Sequence, residues 1–182
     1  MEDYAYILDF LPQGRPESKR IRRQPLALAI GESEFKLFEL VPKPGVTLSV
    51  GERVYIGKEL DKRDKIKQVK RRIAYRELTH VAQSELPYIV LQIVRNNEKK
   101  FVDFFNNAMP ITTRLHMLEL LPGLGKKSMW EILEARKERP FESFEDIEKR
   151  TQHVHHPDKL IAKRIEYELQ NPREKYKLFV AK

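Results

Sequence analysis

The stretch best suited to chemistry is a pair of glycines, Gly123 and Gly125, set directly ahead of Lys126, Lys127 and Ser128. Leu115, Leu118, Leu120 and Leu121 precede it with the spacing of a short apolar helix, and Met129, Trp130, Ile132, Leu133 and Arg136 continue beyond it on a second one. Glycine tolerates backbone angles that other residues resist, so the chain can turn sharply here with its amide N–H groups facing outwards. Leu124, between the glycines, can insert between the two helices. The second helix opens with unpaired N–H groups at its positive dipole end. Lys126 and Lys127 add charge there and Ser128 a hydroxyl. The expected product is a nook for a phosphate.

This arrangement resembles the helix-hairpin-helix motif. The resemblance implies that the amides of Gly123, Leu124 and Gly125 meet consecutive phosphates and that Lys127 meets a neighbouring one. It also implies a grip on the backbone that does not read sequence, since phosphate contacts position without specifying. In some relatives a monovalent cation bridges the hairpin carbonyls and a phosphate, and none other is expected as cofactor. Met129 departs from the motif, which usually has a small residue there. Downstream, Ser143 reads as the cap of a short helix, and Pro157 opens another with proline in its first turn. Such helix pairs commonly form a paired unit. The second turn, residues 152–156, has no glycine, so the second hairpin is expected to be mainly structural, with Lys159, Lys163 and Arg164 as peripheral phosphate contacts.

Other constellations are weaker. His153, His155, His156 and Asp158 crowd into six residues without a second ligand-bearing segment, a poor shape for a metal site, so none is expected. Lys127 and Asp146 have a spacing that resembles the lysine and aspartate of base-excision glycosylases. Those enzymes carry Gly-Pro ahead of the aspartate, where this chain has Phe144-Glu145. No catalytic residue is therefore assigned, and Schiff-base repair chemistry through Lys127 and Asp146 stands as a third reading. Cysteine is absent, which excludes disulfides, thiolate nucleophiles and Cys-ligated zinc.

The elements that must carry these residues divide in texture. The 182-residue chain has 35 bases against 27 acids. The excess comes from residues 15–23, with five bases and one acid, and residues 58–76, with nine bases and three acids. Branched and aromatic runs at residues 4–11, 25–30, 35–41, 51–57 and 66–75 read as five strands, and residues 46–50 alternate as well. Together they suggest a small closed barrel of the oligonucleotide-binding type. Arg20, Arg22 and Arg23, with Lys70, Arg71 and Arg72, would form a second phosphate-tracking face, Tyr75 serving as a stacking platform. From Glu77 the apolar spacing turns helical: 84–108, capped by Ser84 or Thr79, with Pro87 in its first turn and Thr112 or Thr113 capping the next helix. The expected fold is α+β: a basic barrel over 1–78, a helical connection over 79–110 and a helix-hairpin-helix domain over 111–182. The start is no signal peptide and no run is long enough to span a membrane, which points to a cytoplasmic protein.

The order of parts, Gly51-Glu-Arg-Val-Tyr-Ile-Gly57 in a basic β-domain followed by this hairpin, resembles the uncharacterised archaeal family domain of unknown function 655. The resemblance covers nearly the whole chain and implies nucleic-acid binding. The leading expectation is a non-enzymatic, sequence-independent binder of nucleic acid, RNA before duplex DNA, with no membrane or small-molecule partner. The main alternative is a protein-interaction adaptor in a translation or replication assembly.

Overall fold

The computed structural model describes residues 1–16 and 24–182. Arg20, Arg22 and Arg23 lie outside the described residues.

Among the described residues five strands form one antiparallel sheet, β1 (Tyr4–Leu11), β2 (Leu26–Gly31), β3 (Leu37–Pro42), β4 (Arg53–Tyr55) and β5 (Ile66–Ile73), in the order β4-β1-β2-β3-β5. Alternation places Ala5 and Ile7 of β1 with Ala27 and Ala29 of β2 on one face, where they join Leu40, Val54, Ile56 and Ile66 in a buried cluster. Small alanines there let the sheet curl tightly. A register shift in the β1–β2 pairing between Ile7 and Asp9, and two in the β3–β5 pairing, between Glu39 and Leu40 and between Val41 and Pro42, add twist. The result is a curled half-barrel. The expected closed cylinder is not reached: among the described residues β4 pairs only with β1 and β5 only with β3.

The alternation at residues 46–50 is not a strand. Gly45 and Gly51 take φ of 77° and 86°, so the chain reverses at both ends of the segment and crosses rather than pairs. Leu48 still docks into the cluster. The buried Glu2 holds the β2–β3 turn, its carboxylate accepting from the amides of Ser33 (2.7 Å), Glu34 (3.1 Å) and Lys36 (3.3 Å). A Cβ on Gly31 would fall 1.5 Å from Glu2 Oε2, so any other residue there would displace this carboxylate.

The helical spacing resolves into two helices, α1 (His80–Asn96) and α2 (Glu98–Asn107). Thr79, not Ser84, caps α1: its Oγ1 accepts from the Ala82 amide at 3.1 Å. Pro87 lies inside α1 rather than in its first turn, at the cost of one backbone hydrogen bond. Asn97 ends α1 by donating its side-chain amide to the Ile93 carbonyl at 2.8 Å. Thr112 and Thr113 start no helix. The next turn is a 3-10 helix, Met117–Leu120, followed by α3 (Lys126–Glu138), α4 (Phe144–Lys149) and α5 (Pro157–Gln170). Ser143 caps α4 as expected, accepting from the Asp146 amide at 2.9 Å, and Pro157 opens α5.

The chain divides into two compact units, Met1–Ile89 with Glu168–Lys182, and Val90–Tyr167. Residues 168–182 fold with the first unit. No helix among the described residues is long and apolar enough to cross a membrane.

Candidate nucleic-acid interface

In the second unit, the approach to the glycine turn is built by His116. Its Nδ1 accepts the Leu118 amide at 3.0 Å, while Glu119 Oε2 accepts the His116 amide at 2.8 Å. This reciprocal cap starts the 3-10 helix in place of the longer helix that the leucines suggest. Leu118, Leu121, Leu124, Met129 and Ile132 are buried, so Leu124 does insert and Met129 is accommodated in the core. Gly123 takes φ of 88°, a left-handed conformation of the kind that glycine tolerates and other residues resist. Gly125 is the N-cap of α3, with φ of −84° and no side-chain cap.

The three amides assigned to phosphate do not behave alike. Leu124 donates its N–H inwards to the Leu121 carbonyl at 3.1 Å, so it is removed from the expected donor set. Gly123 and Gly125 are exposed, and among the described residues their amides meet no acceptor. Lys126 and Lys127 are exposed as well, and α3 has no acid in its first turn. Two cations at the positive end of a helix oppose its dipole, whereas α2, α4 and α5 each carry an acid there. Ser128 turns its hydroxyl towards the His153 carbonyl at 3.4 Å, away from the expected ligand.

Of the peripheral residues, Lys159 and Lys163 are exposed on α5. A Cβ on Gly123 would lie 3.6 Å from Leu160, so the stretch of α5 bearing these lysines runs beside the turn. Arg164 is 4% exposed and donates to the Leu120 carbonyl at 3.4 Å, with its guanidinium over the Tyr167 ring. It braces the end of the 3-10 helix instead of meeting solvent phosphate. Arg136 likewise serves structure: it donates to the Phe105 carbonyl at 3.1 Å, near the C-terminus of α2, where a cation complements the helix dipole.

Trp130 was not among the expected contacts, yet it is 56% exposed. The spacing contained the signal. Met129, Ile132, Leu133 and Arg136 recur at helical spacing on one face, and Trp130 falls off that stripe towards the side of Lys126 and Lys127.

The histidine cluster is dispersed. His153 Nδ1 faces Glu131 at 3.1 Å, His156 faces Glu148 at 3.8 Å and Asp158 pairs with Arg95 at 2.9 Å; no metal-holding group of three ligands occurs among the described residues. Asp146 accepts from the Glu142 amide and from Arg150, both at 3.0 Å. Burial would raise its pKa, but these donors hold it below the usual carboxylate value. It is a structural acceptor.

The sheet-borne basic face is divided too. Lys70 is exposed, but Arg71 bridges Glu39 at 3.1 Å and Glu77 at 2.9 Å, and Arg72 donates to the Ala181 carbonyl at 2.6 Å. Tyr75 falls outside the strand, which ends at Ile73. It opens a 3-10 turn that Glu77 secures by accepting the Ala74 amide at 2.7 Å, and the ring is half-buried, not an open platform.

His116 makes the approach to the turn pH-dependent. Burial first, then the charge of Arg136, lowers its pKa below the ordinary 6.5. Only the unprotonated Nδ1 can accept from Leu118. A group with a depressed folded pKa contributes its stability above the unfolded value and loses it as pH falls through the folded one. The stability difference between the parent and His116→Ala is expected to be constant above about pH 7 and to shrink towards pH 5. Denaturant titrations of both proteins across that range check it; a difference independent of pH refutes it.

A curled antiparallel sheet in one unit, and in the other a glycine turn leading into a lysine-headed helix, define an α+β protein of two parts. Residues 1–181 match the family described as "Protein of unknown function (DUF655)", and the chain belongs to that family. It is 51% identical over 180 residues to Uncharacterized protein MJ0038 of Methanocaldococcus jannaschii, covering 98% of this chain and 80% of that protein. The crystal structure of Af1531 from Archaeoglobus fulgidus is similar with a TM-score of 0.92 at 54% identity, over 99% of this chain and all of that one.

Proposed function

We propose that this protein binds nucleic acid, RNA before duplex DNA, without reading sequence, by holding backbone phosphate at residues 123–127. The observation that carries the reading is the exposed turn itself: the Gly123 and Gly125 amides and two lysines lie at the positive end of α3, whose first turn carries no acid. On this reading the segment 116–138 works as a helix-hairpin-helix with a shortened first helix. Lys159 and Lys163 extend the phosphate track, and the half-barrel stands for an oligonucleotide-binding-like fold. A cation bridging the turn's carbonyls to a phosphate is compatible with this arrangement, and no residue is given a catalytic role.

The chain's single tryptophan lies one turn from these lysines, so it reports on the site directly. Titration with a short single-stranded RNA or a duplex is expected to quench Trp130 fluorescence saturably. The logarithm of the affinity should fall with that of salt with a slope of about −2 to −3, as release of a few counterions requires. Absence of binding at low salt, or affinity insensitive to salt, overturns the proposal. The exposure of Trp130 also suits a second reading, an adaptor for a protein partner. That reading requires salt-insensitive binding to protein and none to nucleic acid.

A further inference from the structure

The first unit contains a cleft of about 660 Å³ between the end of β5 and the segment after α5. Its floor is apolar, made by Phe35, Leu37, Ile73 and Val180, each no more than 6% exposed. Its rim is cationic, with Arg72, Arg173, Lys175, Lys177 and Lys182 around it. Tyr75 stands in the wall.

The two carboxylates lining the cleft are already engaged. Glu168 accepts the amides of Leu178 (2.9 Å), Phe179 (3.0 Å) and Val180 (3.0 Å), and Glu174 accepts the amide of Tyr176 at 3.2 Å. Arg72 and Lys177 are partly used by the carbonyls of Ala181 and Glu168. Arg173 and Lys182 are exposed and form no ion pair among the described residues.

An apolar floor under a cationic rim favours a ligand that has both a dry body and a negative charge. A bare inorganic ion leaves the floor wet, and a neutral ring leaves the rim unanswered. The volume falls within the roughly 300–1,000 Å³ usual for small-molecule sites, and the half-buried Tyr75 adds an aromatic residue to the lining. We propose that this cleft binds a phosphorylated nucleoside, free or as the phosphorylated end of a strand. The site is separate from the turn at 123–127 and does not depend on the reading given to that turn. It adds a small-molecule class of ligand to the partners expected from the residues alone.

Isothermal titration of the full chain with adenosine monophosphate, adenosine, inorganic phosphate and octanoate tests the proposal. Saturable binding of the nucleotide, at least tenfold tighter than any of the other three, is expected. Arg173→Glu combined with Lys175→Glu, at exposed positions, should weaken it at least tenfold while leaving the melting temperature unchanged. Repeating the titration in a Lys126→Glu, Lys127→Glu background, with a 5′-phosphorylated oligonucleotide beside the free nucleotide, removes any contribution from the turn. Tighter binding of either ligand there supports the proposal and identifies its source. No nucleotide binding, phosphate or octanoate binding as tightly as the nucleotide, or affinity unchanged by Arg173→Glu and Lys175→Glu overturns it.

Discussion

Replacing Lys126 and Lys127 together with glutamate is expected to lower RNA affinity at least a hundredfold while leaving the fold as stable as before, or more so. The two effects have opposite sign because the site and the helix want opposite charges. At the first turn of α3, which has no side-chain cap and no acid, lysine opposes the dipole. Glutamate there should contribute about 0.3–1 kcal/mol of stability. A phosphate held by the Gly123 and Gly125 amides instead meets repulsion, and the loss of two cations also flattens the salt dependence by about two counterions. Fluorescence titration at Trp130 and a denaturant melt measure both quantities on one sample. A variant that is destabilised and still binds would show that these lysines serve the fold. A variant that is unaffected in both would remove the turn from the interface.

The second large effect concerns Glu168. This fully buried carboxylate draws together the amides of Leu178, Phe179 and Val180 and so seats the end of the chain in the first unit. Glu168→Ala deletes the acceptor of three donors at once. Unsatisfied buried amides cost about 1–3 kcal/mol each, and partial rehydration of the two less buried ones limits the sum to about 2–4 kcal/mol. Denaturant unfolding should show that loss, and hydrogen exchange should show residues 178–180 losing protection. A change below about 0.5 kcal/mol with protection intact would mean that apolar contacts, not Glu168, hold the segment. The loss should also weaken the nucleotide cleft, because Val180 is part of its floor.

Local information in the chain was enough for much of this architecture. The branched and aromatic run Tyr4–Leu11 is a strand because its alternation and side-chain shape leave little choice, and Ser143 and Pro157 mark helix starts through interactions within one turn. The sequence Gly123-Leu-Gly125 determined a left-handed turn with Leu124 inwards, since backbone sterics and one apolar side chain decide both. Tertiary structure alone decided which polar groups remain available. Whether Arg164 meets solvent depends on the Leu120 carbonyl, 44 residues away in the chain. Arg71 and Arg72 are claimed by Glu39, Glu77 and Ala181, from distant parts of the chain. Closure of the barrel was equally out of reach, because strand pairing depends on register between segments and not on the propensity of either. A charge or a donor is legible as a residue type, but its freedom is a property of its neighbours, and those neighbours are assembled only by folding.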